Sequence, residues 1–309
     1  MVDPPNQRKN RVGVEISSTA LNAVLIGEND EIAASRSFPT GDSESTVSQL
    51  IGLAEDLRKE FGSFGRVGLA VPGLVDHKTG RVAFSANIPK HSEIDLVKDI
   101  KEVTGLDVVI ENDANAAAYG EYRLGAGRGS ISMFYATLGE GVGGAFIFNG
   151  KLWRGAGGFA GELGYIPINS EGTRLEEVAS SSSIIRRTRS RFHQDSTSSL
   201  SRLSEEGITI DEIIAAADKE DGFAQMMLER TGTYVGVALA TVINLLNIER
   251  IVIGGAIIQT RQLVLDAISE RAREFSFSPS FESTSIVEGE LGSNAAAAGA
   301  ALISGLRID

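Results

Sequence analysis

The chain spells out one order of elements twice, and that repetition limits its fold more than any single residue does. Val12-Gly-Val-Glu-Ile-Ser-Ser-Thr-Ala-Leu-Asn-Ala-Val-Leu-Ile26 reads as two β runs around a small polar turn, and Glu31 to Phe38 offers a third strand. Val47 to Phe61 carries apolar residues at helical spacing, and Val67-Gly-Leu-Ala-Val71 is a short buried strand closed by Pro72-Gly73. A helix from Glu93 to Val103 leads into the strand Asp107-Val-Val-Ile110, giving β-β-β-α-β-α-β. The order restarts at Ile131-Ser-Met-Phe-Tyr-Ala-Thr137, turns through Gly139-Glu-Gly-Val-Gly-Gly144 and continues through Ala145 to Phe148 and a hairpin into Lys151-Leu-Trp153. A long helix (Glu229 to Leu246), a buried strand ending in Gly254-Gly255 and a helix (Leu263 to Phe275) complete the second pass. A chain of 309 residues can bury two cores. The repeat therefore predicts an α/β protein of two similar lobes around a central cleft, the natural place for a ligand. The expected boundaries are residues 1–120 plus 295–309 for a small N-terminal lobe and 121–294 for a large C-terminal lobe. The alanine-rich stretch after Asn294 is expected to be a tightly packed helix, and Asp195 to Ser201 a mobile polar loop.

Composition removes several function classes. With no cysteine, a disulfide framework, a thiolate zinc site and a thiol nucleophile are all impossible. No apolar run approaches the roughly 20 residues of a membrane span, and the first residues lack the apolar core of a signal peptide, so a cytoplasmic protein is expected. A net charge of −12 opposes binding to a nucleic-acid backbone. The basic run Ile185-Arg-Arg-Thr-Arg-Ser-Arg191 reads most simply as a solvated helix face.

Gly139, Gly141 and Gly144 satisfy G-x-G-x-x-G, but the residues that follow alternate as a strand, so a dinucleotide-binding turn is rejected. A β-turn-β loop whose backbone N–H groups cradle phosphate suits the pattern, as does a hairpin that needs glycine merely to turn. The turn from Glu15 to Thr19 occupies the matching place in the first half.

In Ile110-Glu-Asn-Asp-Ala-Asn-Ala-Ala-Ala-Tyr119 a polar cluster stands where a buried strand gives way to an alanine-rich helix. Asp113 there can be a helix cap. Glu111, Asn112, Asp113 and Asn115 supply more polar groups than capping needs, at the carboxyl end of a strand where open α/β sheets bind ligands. A hydroxyl attacking phosphorus needs a proton acceptor, and Asp113 is the candidate. Polyol recognition calls for bidentate acceptors beside hydroxyl and amide groups; Glu162, Glu176, Tyr165 and Asn87 supply them. For Glu176, simple stabilisation of a helix N-terminus is an equal alternative.

These segments, in this order, resemble the ROK (repressor, open reading frame, kinase) family from Val12 to about Ile303. The motifs are Val-Pro-Gly-Leu-Val-Asp at 71–76, Asn-Ile-Pro at 87–89, Glu-Asn-Asp-Ala-Asn-Ala-Ala-Ala at 111–118, Gly-Glu-Gly-Val-Gly-Gly at 139–144, Gly-Glu-Leu-Gly at 161–164, Leu-Glu-x-x-Ala-Ser at 175–180 and Ile-Gly-Gly at 253–255. The resemblance implies an actin-like ATPase (ribonuclease H-like) fold and a glucokinase-like sugar kinase using ATP and Mg²⁺, assembled as a homodimer or higher oligomer. It implies Asp113 as catalytic base and Asn87, Asn112, Glu162, Tyr165 and Glu176 as sugar ligands. Phosphate would fall to Glu15, Ser17, Ser18, Thr19, Thr137, Gly139, Gly141 and Gly143, and the adenosine part of ATP to Gly254 and Gly255. Three departures stand out. The usual Asp-x-Gly-Gly-Thr loop is Glu15-Ile-Ser-Ser-Thr19, Glu140 occupies a usual threonine position, and Tyr165 replaces the histidine of the familiar zinc site, so no structural zinc is expected. The departures motivate a second reading, a sugar-binding regulatory protein with weakened phosphoryl transfer. A DNA-binding repressor is disfavoured, because the first strand begins as early as Val12.

Overall fold

The structure, a computed structural model, describes residues 10–40, 46–62, 64–77, 79–84, 95–260 and 262–306. Short polar turns make the opening antiparallel: β1 (Arg11–Ile16), β2 (Ala20–Ile26) and β3 (Ile32–Pro39) pair in sequence. Then follow α1 (Thr46–Phe61), β4 (Arg66–Val71), the hairpin β5 (Leu74–Asp76) and β6 (Arg81–Phe84), α2 (Leu96–Thr104), β7 (Asp107–Asn112) and α3 (Asp113–Leu124). The first sheet runs β3-β2-β1-β4-β7, with β4 parallel to both β1 and β7. Val67, Leu69, Ala70 and Val71 of β4 are all buried, as expected of a parallel strand covered on both faces.

The second pass supplies β8 (Ser132–Leu138), β9 (Val142–Phe148) and β10 (Lys151–Trp153), then α4 (Glu176–Ala179), α5 (Ser181–Arg189), α6 (Ile210–Asp218) and α7 (Gly222–Leu246). After these come β11 (Arg250–Gly254), α8 (Gln262–Phe275), α9 (Ser278–Glu282), β12 (Ser285–Glu288) and α10 (Ala295–Ser304). Its sheet runs β10-β9-β8-β11-β12, with β11 parallel to both β8 and β12. The two sheets share one plan, an antiparallel meander extended by parallel strands.

The chain divides into two compact units. One holds residues 1–128, 152–160 and 293–309; the other holds 129–151 and 161–292. In the first, α10 lies against β1, β4 and α3 at distances only glycine permits. A Cβ on Gly13 would stand 2.0 Å from the Ala297 carbonyl oxygen, one on Gly68 2.0 Å from that of Ala300, and one on Gly299 1.7 Å from that of Ala116. Every residue of α10 is buried. In the second unit, Arg187 of the basic run donates to the Val178 carbonyl (3.0 Å) and the Thr231 hydroxyl (2.6 Å). Burial pulls its pKa down to about 10. Arg186 and Arg189 likewise donate to the Glu177 and Ile208 carbonyls. These guanidiniums are tied into their own unit instead of forming a merely solvated face. Among the described residues no helix is long and apolar enough to cross a membrane.

Two further local expectations differ from the structure, and one carboxylate explains both. The helix expected from Glu229 begins at Gly222, because the Asp221 side chain caps it through the Ala224 N–H (3.1 Å). The same carboxylate takes the Ser198 hydroxyl (3.0 Å) and the Ser199 N–H (2.6 Å), and the expected polar loop becomes a 3-10 turn at Ser199–Arg202.

Gly299→Ala is therefore expected to destabilise the fold by about 3 kcal/mol or more, since backbone must move to admit the methyl group. Gly52→Ala, in the exposed interior of α1 with nothing within 4 Å of its Cβ position, is expected to stabilise by about 0.5–1 kcal/mol. Thermal and urea unfolding of the two variants measures both signs.

Candidate active site

In the first unit the sequence makes the β7–α3 junction polar because a strand must end and a helix be capped within a few residues. Asn112 does the capping: its side-chain oxygen accepts the Asn115 N–H at 3.0 Å. Its amide donates to the Gly73 carbonyl and to Asp113 Oδ1, both at 2.9 Å. Asp113, the first helical residue, also accepts the Ala114 N–H at Oδ1 (2.9 Å). Among the described residues, Oδ2 accepts nothing from another residue. The cap and the candidate base are thus different residues. Burial, reinforced by the negative charge of Glu15, pushes the Asp113 carboxyl up to about 7 against the pull of its hydrogen bonds. Glu15 is itself raised by burial, partly offset by the Asn22 amide at 3.0 Å.

The Glu15–Thr19 turn is closed by its own serine. Ser17 Oγ donates to the Ala20 carbonyl and accepts the Ala20 N–H, both at 3.0 Å, with the Thr19 N–H at 3.4 Å. Those two N–H groups are already satisfied, while the Ser18 and Thr19 side chains stand exposed. Sequence reasoning named Glu111 but missed its partners. This carboxylate is 1% exposed. Arg154 donates to Oε2 through Nη2 (2.5 Å) and Nε (3.1 Å). Oε1 accepts the Asn112 N–H and the Asn115 amide, both at 3.0 Å, and lies 3.2 Å from His77 Nε2. Burial alone would raise the Glu111 pKa; His77 and Arg154 outweigh it and hold the group ionised. No spacing rule links residues 77, 111 and 154, so the sequence carried no signal for the set.

The second unit gathers the other carboxylates. Glu176, opening α4, accepts the Val142 N–H at Oε2 (2.9 Å) and lies 3.0 Å from where a Gly141 Cβ would stand. Glu162 is raised by burial and by the negative charge of Glu176. Gly161, at φ +102°, lets this segment meet β9 backbone to backbone: its Cβ position is 2.1 Å from the Gly144 carbonyl oxygen. Tyr165 is exposed, its ring 4.5 Å beneath the Arg174 guanidinium carbon. The chain between them doubles back through Ile168 N–H to Thr173 O (2.9 Å) and Leu175 N–H to Ile166 O (3.0 Å). Among the described residues no group of three or more acidic or histidine side chains is arranged to hold a metal.

Thr137 stands between the glycine elements, opposite Gly143 across the β8–β9 pair and opposite Gly254 across β8–β11. Gly255 turns at φ +94°, where a Cβ would meet the Leu138 carbonyl oxygen at 2.3 Å. Gly139 faces open space, as a loop receiving a ligand requires, and Glu140 is exposed beside it. The structure brings Glu15, Asn112 and Asp113 together in one unit. It brings Thr137, Gly139, Gly141, Gly143, Glu162, Tyr165, Glu176, Gly254 and Gly255 into the other. Asn87 lies outside the described residues.

A folded pKa near 7 against an ordinary value of 3.8 means that folding favours protonated Asp113. The stability this provides is fully present below about pH 4 and is lost as pH rises through about 7. Asp113→Asn is therefore expected to be more stable than the parent at pH 8, by up to about 4 kcal/mol. The advantage should shrink as the pH is lowered toward 4, which urea unfolding across that range measures.

Comparison with known proteins identifies the family and the fold. The profile of the ROK family matches residues 11–305. A glucokinase of Thermotoga maritima is 31% identical over 96% of this chain and 98% of its own. A xylose repressor of Bacillus subtilis is 27% identical over 93% of this chain and 75% of its own. The crystal structure of a ROK family glucokinase from Streptomyces griseus in complex with glucose and AMPPNP superposes with a TM-score of 0.85 at 29% identity, covering 96% of this chain and 99% of that one. The fold is the actin-like ATPase fold of those glucokinases. On this evidence the chain belongs to the ROK family.

Proposed function

We propose that the protein is an ATP-dependent sugar kinase that phosphorylates a hydroxyl of a hexose or N-acetylhexosamine, with Asp113 as general base. The observation that carries the reading is a carboxyl poised near pH 7 at the carboxyl end of β7, whose Oδ2 takes no hydrogen bond from any other described residue. A base whose pKa lies near the working pH combines a useful ionised fraction with a real affinity for the proton. The attacking hydroxyl donates to Oδ2, and its proton passes to Asp113 as the new O–P bond forms and the bond to the ADP leaving group breaks.

Glu162, Glu176, Tyr165 and Asn87 take sugar hydroxyls. Asn112, with both amide hydrogens engaged, offers only a remaining lone pair. Thr137, Gly139, Gly141 and Gly143 receive phosphate, and Gly254 with Gly255 the adenosine. Glu15, Ser18 and Thr19 border the first loop, where Ser17 fixes the turn. Mg²⁺ bound with ATP would supply neutralisation of the phosphate charge. By family resemblance the protein works in the cytoplasm as a homodimer or larger oligomer.

The closed Ser17 turn and the exposed Glu140 favour one alternative, a sugar-binding regulator with weak phosphoryl transfer. A coupled assay for ADP release across hexoses and amino sugars tests the kinase reading. It should report sugar-dependent turnover that falls by about 10²–10⁴-fold in Asp113→Asn, with sugar binding by calorimetry retained. Sugar binding without ATP binding or turnover supports the regulator instead. An Asp113→Asn variant as active as the parent would overturn Asp113 as base.

A further inference from the structure

Glu111 is a fully buried anion adjoining Asn112, the residue that orients Asp113, yet no substrate contact is assigned to it above. Its two oxygens are divided with little left over. Oε2 is taken by Arg154, and Oε1 by the Asn112 N–H, the Asn115 amide and His77. Asn112 and Asn115 are the two ends of the cap that sets the first turn of α3, so whatever holds Glu111 holds the frame of Asp113. The holders come from elsewhere in the same unit: His77 follows the β5 strand, and Arg154 follows β10. They also lie on one another's segments, since the Gly158 Cβ position is 3.6 Å from the Val75 carbonyl oxygen and 3.9 Å from His77 Cδ2.

We propose that Arg154 and His77 are positioning residues for proton transfer at Asp113, acting through Glu111. The inference rests on the kinase reading for its kinetic consequence, though not for its physical content. A stapling role alone would be met by any well-packed uncharged group, and burying an ion pair is a poor way to gain stability. The charges do something packing cannot. The titratable and charged groups facing this junction are Glu15 from β1, Glu111 from β7, His77 beyond β5 and Arg154 beyond β10. Arg154, with His77 beside it, offsets the Glu111 charge, leaving Glu15 as the carboxylate that acts on Asp113. Without that cancellation a second buried anion would oppose ionisation of the base.

The test compares three variants. Arg154→Met keeps the aliphatic stem and removes the charge. Arg154→Lys restores the charge, and Glu111→Gln keeps the shape while leaving Arg154 unopposed. The acidic limb of kcat/KM for the sugar should move to higher pH in Arg154→Met, by on the order of one pH unit. In Glu111→Gln it should move to lower pH, and Arg154→Lys should restore it largely to the parent position. KM for ATP should stay within about twofold, because no phosphate-side group is touched. Carboxyl-carbon NMR titration of Asp113 in the same proteins reads the same opposed shifts without turnover. An inactive parent would therefore defeat the kinase reading while leaving this proposal measurable. Should Arg154→Met fail to fold, Glu111→Gln and His77→Gln carry the test, with His77→Gln expected to move the Asp113 titration upward. Folded variants whose Asp113 titration stays fixed, or moves in the same direction for Arg154→Met and Glu111→Gln, would overturn the proposal.

Discussion

The close approach of α10 to the first sheet is the constraint on which the first unit depends. Three backbone-to-backbone contacts, at Gly13, Gly68 and Gly299, put the helix where no side chain could hold it apart. β1 and β4 then carry Glu15 and Gly73 to the end of the sheet where β7 delivers Asn112 and Asp113. Burial is the leading cause of the raised Asp113 pKa. Small residues in the sequence thus set how closely α10 meets the sheet and α3, the helix that Asp113 opens.

Charge is handled in two opposed ways. Asp113 and Glu162 each lie near another carboxylate, Glu15 and Glu176 respectively, and both are raised by burial first and like charge second. Glu111, buried at 1% exposure, is lowered instead, because His77 and Arg154 stand against it. Groups proposed to meet substrate hydroxyls are therefore left ready to share protons. The group with no substrate to meet is neutralised by pairing.

Much of the fold was legible because strands and helices announce themselves by local period: the sheet of β8, β9 and β11 and the alanine-rich α10 follow from patterns a few residues long. The cluster around Asp113 was legible as polar excess at a strand end, yet sequence left it balanced between cap and base. Only the Asn112 to Asn115 hydrogen bond assigns the cap to its neighbour. What stayed hidden were pairings made by tertiary contact. Asp221 ordering Ser198 and Ser199, and Arg154 and His77 meeting at Glu111, each join residues with no periodic relation.

The unit that contains Asp113 is assembled from three separated stretches of chain, the last of them holding α10. Synthesis runs from the N-terminus, so the ribosome delivers the whole of the second unit before the helix that completes the first core exists. Until then β1 and β4 present uncovered apolar faces, with bare glycine backbone where α10 will lie. Such surfaces favour association with other chains. The earlier-made half thus finishes folding later, and its exposure to chaperones and to misassembly is set by the time needed to translate the residues in between.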